Sequence, residues 1–115
     1  MRWTFITKNV DERYLIGELL DFMKQNNISN FHKEKIYNMV INLNKKTQQQ
    51  KERFIRYYGL KPKEFKKETL SAIAKESHCN ISAVRISVVA IRRALFNVSE
   101  DNFIILKEIY KEYQK

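Results

Sequence analysis

The chain has 115 residues, of which 43% are hydrophobic and 30% charged, a composition typical of one globular domain rather than a disordered chain. Lys and Arg number 22 against 13 Asp and Glu, and the formal charge of +9 favours a polyanionic or acidic partner. Two Gly, one Pro and one Cys disfavour β-sandwiches, glycine-loop nucleotide folds, disulfide frameworks and cysteine-based zinc fingers. No apolar run approaches the ~20 residues of a membrane span and no signal-peptide pattern is present, so we expect a cytoplasmic protein without a membrane partner.

The first third of the chain predicts an arm and two helices. We expect residues 1–8 to form an extended arm that packs aromatic side chains on the helices. Asn9 and Glu12 have capping-box spacing, which predicts a helix from Asn9 to about Asn26. A second helix is predicted from about Asn30 to Leu43, and its His32, among Lys and Glu, is expected on the solvated surface. The buried stripe of this helix is predicted to be Phe31, Ile36, Met39, Val40 and Leu43.

Four more helices are predicted from their caps. Thr47 begins a second capping box, and Gly59 lies where a left-handed C-terminal cap is expected. Thr69, Asn80 and Ser99 can cap helices that end near Ser77, Phe96 and Tyr113. The last helix has a wide apolar surface, which is expected either to pack in the core or to form a homodimer interface. Ile105 is expected to be exposed in addition. The residues of the apolar surface are Phe103, Ile104, Leu106, Ile109, Tyr110 and Tyr113.

The excess positive charge is confined to the middle of the chain. Residues 44–97 carry 13 of the 22 basic side chains and only 4 of the 13 acidic ones. The segments before and after are close to neutral. Such confinement favours a binding face for a polyanion, and the alternative is a set of basic surface helices without a partner.

Residues 69–95, TLSAIAKESHCNISAVRISVVAIRRAL, have the pattern of a helix-turn-helix. Small Ala74 lies where the two helices approach closely, His78 occupies the turn, and β-branched Val84 is expected to face inward. Three further side chains complete the predicted inward set: Ile73, Cys79 and Ile91.

The run RFIRYYGL (53–60), a basic connection, and then TLSAIAKES…NISAVRISVVAIRRAL resembles region four of bacterial RNA polymerase sigma factors. The pair Val84-Arg85 and the ending Arg92-Arg93-Ala94-Leu95 match the recognition helix of that family, and the resemblance covers residues 47–96. It implies a helical domain that binds promoter −35 DNA in the major groove and contacts the flap of the polymerase β subunit. The chain is too short to hold also the region that melts the −10 element, so we do not expect it to be a complete sigma factor. The alternative is that the chain is a fragment of a longer sigma-type protein.

We therefore expect an all-α fold, a single compact domain of five to six helices that contains a helix-turn-helix resembling sigma region four. Residues 1–46 would form the arm and a helical pair, 47–97 the region-four-like part, and 98–115 the C-terminal helix. The connection at 60–68 is longer and more basic than the family pattern, and residues 98–115 extend beyond it.

Double-stranded DNA is the partner that this pattern predicts, with RNA polymerase or a second sigma-type subunit as a further one. An inserted recognition helix reads bases with its outward N-terminal half, where Arg85 has the geometry to bind guanine O6 and N7. The predicted base contacts are Ser82, Arg85, Ile86 and Val89. The predicted backbone contacts are Lys63, Lys66, Lys67, Lys75, Asn80, Arg92 and Arg93, with Lys45, Lys46, Lys51, Arg53 and Arg56 as an extension.

Three outward apolar residues, Ile81, Ile86 and Val89, are unusual for a DNA-reading face. The alternative function is therefore a protein-binding module that kept the fold and binds a sigma factor, an anti-sigma factor or RNA polymerase instead of DNA. We expect no enzyme activity, no catalytic residues, no metal site and no cofactor, since Cys79 has no nearby His or Asp in sequence other than the adjacent His78 and the acidic residues are scattered.

Overall fold

Side-chain caps fix where most of the helices begin. In the computed structural model, which describes residues 12–114, that part of the chain forms six α-helices and contains no strand. The all-α prediction is confirmed. The helices are α1 (Leu15–Gln25), α2 (Asn30–Ile41), α3 (Gln48–Tyr58), α4 (Leu70–Glu76), α5 (Ile81–Leu95) and α6 (Glu100–Glu112).

The predicted caps at four of these helices are confirmed. The side chains of Thr47, Thr69, Asn80 and Ser99 each accept a hydrogen bond from the backbone N–H three residues further on. The α3 capping box is reciprocal, because the side chain of Gln50 accepts in turn from the N–H of Thr47 at 3.1 Å. Each such cap stabilises its helix by about 1 kcal/mol. Asn9, the predicted cap of the first helix, and the arm at 1–8 lie outside the described residues.

The first predicted helix is interrupted. Glu12 is helical, a turn follows at 13–14 and α1 begins at Leu15, so a continuous helix through these residues is wrong. Arg13 makes tertiary contacts in the turn: its Nη1 donates to the carbonyls of Phe96 at 2.9 Å and Val98 at 2.8 Å. Its guanidinium also lies 4.7 Å from the ring centroid of Phe103. These contacts attach the start of α1 to the segment between α5 and α6.

Helices α3 and α5 make the most extensive helix–helix contact in the described part of the chain. Phe54 on α3 and Val84, Ile91 and Leu95 on α5 are fully buried, and Tyr58 is nearly so. Burial of an apolar side chain of this size stabilises the fold by about 1.5–3 kcal/mol. Helix α6 packs on both α1 and α2 beside this pair, and α2 and α1 also contact α3.

Helices α4 and α5 are joined by residues 77–80 and pack together as a helix-turn-helix pair. Ala74 and Val84 are buried as predicted, and so are Ile73 and Ile91, whereas Cys79 is only half-buried. His78 has a left-handed backbone, with φ of 57°, and the N–H of Cys79 donates to the carbonyl of Ala74 at 3.0 Å. The turn therefore closes without glycine.

Three predictions of which side chains are buried or exposed are wrong. Phe31, placed in the buried stripe of α2, is 64% exposed, because it lies in the first turn of the helix beside the ammonium of Lys35. His32, expected on the solvated surface, is half-buried, and its Nδ1 lies 2.8 Å from the hydroxyl of Tyr113. On α6 the exposed isoleucine is Ile104 rather than Ile105, which packs partly against the core. Phe103, Leu106 and Ile109 are buried, which accounts for most of the apolar surface of that helix.

Gly59 ends α3 in the left-handed conformation that its position predicts. Its φ is 69°, and the N–H of Leu60 donates to the carbonyl of Ile55 at 3.0 Å. A Cβ added at Gly59 would lie 2.9 Å from the backbone N of Lys67, so the connection to α4 passes directly against this glycine.

We expect Gly59→Ala to lower the free energy of unfolding by at least about 1–2 kcal/mol, the cost of a side chain in the left-handed region, with the close contact adding to it. Urea denaturation measures the change. The exposed helical Gln49→Ala is the control, expected within about 0.5 kcal/mol of the wild type. A Gly59→Ala protein as stable as the control would contradict this account of the α3 end.

Candidate nucleic-acid interface

The outward side of α5 carries the four predicted base-contacting residues. Ser82, Arg85, Ile86 and Val89 are exposed, and Arg93 continues their line toward the C-terminal end of the helix. At 100° per residue the five lie within an arc of about 100°. We call them the α5 stripe. Its opposite side is the buried one, so the inward position of Val84 sets which residues reach solvent.

The α5 stripe combines cations with unusually exposed apolar side chains. Ile86 is 67% exposed and Val89 37%, and Ile81 at the start of the helix is 41% exposed. Helix α5 contains no Asp or Glu, so the charges of Arg85 and Arg93 have no acidic neighbour on their own helix. An exposed apolar patch flanked only by cations is a surface that fits an anionic partner.

Asn80 serves as the N-cap of α5. Its Oδ1 accepts from the N–H of Ala83 at 2.8 Å. Because this oxygen satisfies one of the free N–H groups at the helix start, only the amide NH₂ of Asn80 is left for a phosphate.

Four of the predicted backbone-contact cations are exposed. Lys63 and Lys66 lie in the connection between α3 and α4, Lys75 is in the last turn of α4, and Arg93 is on the α5 stripe. Lys63 adopts a left-handed backbone with φ of 76°. Among the residues predicted to extend these backbone contacts, Lys45 is exposed and Lys46 is half-buried.

Arg92 is held by internal contacts instead. Its guanidinium donates to Asp21 at 3.1 Å, to the hydroxyl of Tyr58 at 3.3 Å and to the carbonyl of Gly17 at 3.3 Å. A Cβ on Gly17 would lie 3.2 Å from Nη2 of Arg92, so the glycine permits α1 to approach α5 this closely. Arg92 thus joins α1, α3 and α5, and its predicted phosphate contact is not favoured by this placement.

Lys67 is likewise engaged, at the C-terminal end of α1. Its Nζ donates to the carbonyls of Asn26 at 2.9 Å and Lys24 at 3.3 Å, a favourable place for a cation because helix C-termini carry partial negative charge. Burial lowers the pKa of Lys67, and the ammonium of Lys33 lowers it further. Lys51 is also buried and donates to the carbonyl of Ile41 at 2.9 Å.

Arg56 pairs with two acidic side chains, Glu68 before α4 and Glu76 at the end of α4. Its Nε and Nη2 donate to Glu68 at 2.9 and 2.7 Å, and Nη2 also pairs with Glu76. The hydrogen bond from Arg56 lowers the pKa of Glu68 below its usual value, and the bond to Glu68 raises the pKa of Arg56. This placement does not favour the predicted backbone contact of Arg56, and the cluster of Arg56 with its two glutamates keeps one net negative charge.

Arg53 is buried between α3 and the helix-turn-helix, and sequence reasoning missed this. Its Nη1 donates to Ser87 Oγ at 3.0 Å and its Nη2 to Cys79 Sγ at 3.6 Å, while its buried Nε has no hydrogen-bond partner among the described residues. The signal that could have revealed it is Ser87, a polar residue in the buried stripe of α5, because buried polar groups need partners.

Among residues 12–114, no three His, Cys, Asp or Glu side chains come together in a way that could hold a metal ion. None of the helices in this part of the chain is long and apolar enough to cross a membrane. No family model matches the chain, and no curated protein and no solved structure is significantly similar to it.

The pairing of Arg56 with Glu68 predicts a dependence of stability on pH. Because the folded state lowers the pKa of Glu68, the pair stabilises the fold above the usual Glu value of 4.5 and loses this effect as the pH falls through the folded pKa. We expect Glu68→Gln to lower the free energy of unfolding by about 1 kcal/mol at pH 7 and by progressively less below pH 4.5.

Denaturant unfolding of both proteins across this pH range measures the difference. Glu64→Gln is the matched control, since Glu64 forms an exposed pair with Lys61 at 3.3 Å and its loss should change little. A Glu68→Gln effect that is the same at acidic and neutral pH would contradict the assignment.

Proposed function

We propose that the protein is a DNA-binding transcription regulator that resembles sigma region four and places α5 in the major groove of promoter DNA. The observation that carries the proposal is the α5 stripe, an exposed helix face with two arginines and no acidic residue, on the second helix of a helix-turn-helix pair. The major groove, about 12 Å wide, admits an α-helix. Helix α5 has 15 residues, a length of about 22 Å, so its N-terminal half can enter while its C-terminal half remains in the protein core.

Exposed cations on α4, on α5 and in the connection between α3 and α4 support binding to the sugar–phosphate backbone. Lys63, Lys66, Lys75 and Arg93 are exposed, and phosphate contacts by such side chains position a protein on DNA without reading sequence. In this proposal Arg85 and Ser82 contact base edges, with Arg85 best suited to guanine. Contact with RNA polymerase is the further partner that the resemblance implies.

We expect the affinity for duplex DNA to fall with salt, with a log–log slope of about −3 to −4 if the four exposed cations each contact a phosphate. Arg85→Ala should cost about 1–3 kcal/mol on the preferred site and relax the choice of base there. Fluorescence anisotropy over a salt series measures both. Lys111→Ala is the charge-matched control, because Lys111 is exposed on α6, which packs on α1 and α2.

Undetectable binding of random and promoter-like duplexes at low salt would overturn the DNA proposal. An equal loss of affinity in Arg85→Ala and Lys111→Ala would leave nonspecific DNA binding but remove Arg85 as a base contact.

A second candidate function is a protein-binding module whose partner is RNA polymerase, a sigma factor or an anti-sigma factor. The observation that favours it is the 67% exposure of Ile86 on the α5 stripe. A large apolar side chain on an exposed face is typical of a protein interface.

Ile86→Lys separates the two candidates. A DNA reader should keep or gain nonspecific affinity for duplex DNA, because the variant adds a cation beside phosphates. A protein interface should be lost, because the variant places a charge in an apolar contact. Affinity purification from the host, with recovery of polymerase subunits and of DNA measured together, distinguishes these results, and Ile104→Lys on α6 is the control.

A further inference from the structure

We infer that the apolar part of the α5 stripe reads thymine methyl groups, so that the preferred duplex contains adjacent thymines under Ile86 and Val89. The inference rests on the proposed function and extends it to base preference. In the major groove thymine alone presents a methyl group, at C5, and apolar side chains recognise it by contact. The thymine methyl groups would thus be the apolar partners of the exposed Ile86 and Val89 side chains.

The spacing of the two apolar side chains fits the spacing of stacked bases. Ile86 and Val89 are three residues apart on α5, so their Cβ atoms are about 5–6 Å apart on the helix surface. Consecutive bases of one strand are about 3.4 Å apart along the duplex axis and are also rotated about it by roughly a tenth of a turn, so their methyl groups at the groove edge are farther apart than the axial rise. Two side chains at this separation can therefore contact the methyl groups of neighbouring thymines.

The positive charge of the α5 stripe favours a DNA duplex over a second copy of this chain as the partner of this apolar face. Arg85 and Arg93 flank Ile86 and Val89 on the α5 stripe, and helix α5 contains no acidic residue. Glu68, just before α4, and Glu76, at the end of α4, both pair with Arg56. A second copy of this chain would bring like charges together on such a face, whereas a duplex supplies an apolar methyl row between two rows of phosphates.

Deoxyuridine tests the inference directly, because uracil differs from thymine only by lacking the C5 methyl group. The site is first selected from a random duplex pool at low salt, and its thymines are then replaced by uracil one at a time. We expect selected sites enriched in adjacent thymines, and a loss of about fourfold in affinity for each contacted methyl group. Ile86→Ala and Val89→Ala should each remove the discrimination at one position and leave the other intact.

The control variant is Ile104→Ala, an equally conservative change at an exposed isoleucine of α6, which should keep the full preference for thymine. Because Ile86 is outside the core, its truncation leaves the fold intact, and circular dichroism checks this. Salt-dependent binding that is equal on thymine and uracil duplexes would overturn the inference and leave the proposed function standing.

Other outcomes also overturn it. An equal loss of affinity by Ile86→Ala on thymine and uracil duplexes would overturn the inference, because it means that Ile86 acts without the methyl group. A dimer seen by sedimentation that Ile86→Ala dissociates, without any methyl dependence, would assign the face to a second copy of the chain. The absence of any duplex binding at low salt would overturn the proposed function together with the inference.

Discussion

The contact between α3 and α5 determines what this protein can present to a partner. Phe54 and Tyr58 on α3 pack in the same core as Val84 and Ile91 on α5, and this packing fixes the rotation of α5 about its axis. When one face of a helix is buried, helical geometry determines which residues are exposed on the opposite face. The α5 stripe is therefore a consequence of the core, and any change that rotates α5 would replace its exposed residues.

Hydrogen bonds from two arginines fix the register of α3 against α5 in addition to this apolar packing. Arg53 on α3 donates to Ser87, and Arg92 on α5 donates to Tyr58, so the bonded pairs advance in the same direction along both helices. Hydrogen bonds from a buried guanidinium restrict register more than apolar contacts do, because they require particular atoms to meet. Gly17 contributes at the outer end of the contact, since it allows Arg92 to reach Asp21 and the backbone of α1.

The net charge of +9 overstates the charge that a partner would meet. Lys51, Arg53, Lys67 and Arg92 satisfy carbonyls, hydroxyls or a carboxylate within the fold, and Arg56 pairs with two glutamates. The exposed cations of the region are fewer, and they include Arg85 and Arg93 on the α5 stripe. Folding thus leaves fewer basic side chains exposed to a partner than the sequence count suggests.

Local rules predicted the helices, and long-range contacts decided the remaining features. The capping residues Thr47, Thr69 and Asn80 act on groups three residues away, and the inward position of Val84 follows from helical periodicity, so each was predictable from sequence. His32 and Arg92 were assigned to the surface and to phosphate, but they contact Tyr113 and Asp21, which are distant in sequence. No periodic pattern shows which remote partner a polar side chain will meet.

The central claim is that the outward face of α5 is the surface that enters the groove of the duplex. A titration of the isotopically labelled protein with a selected duplex, followed by NMR, tests it most directly. The account predicts that the largest changes in amide and side-chain shifts occur at Ser82, Arg85, Ile86 and Val89, with small changes on α6. Changes centred on α1 and α6, or no change at low salt, would contradict it.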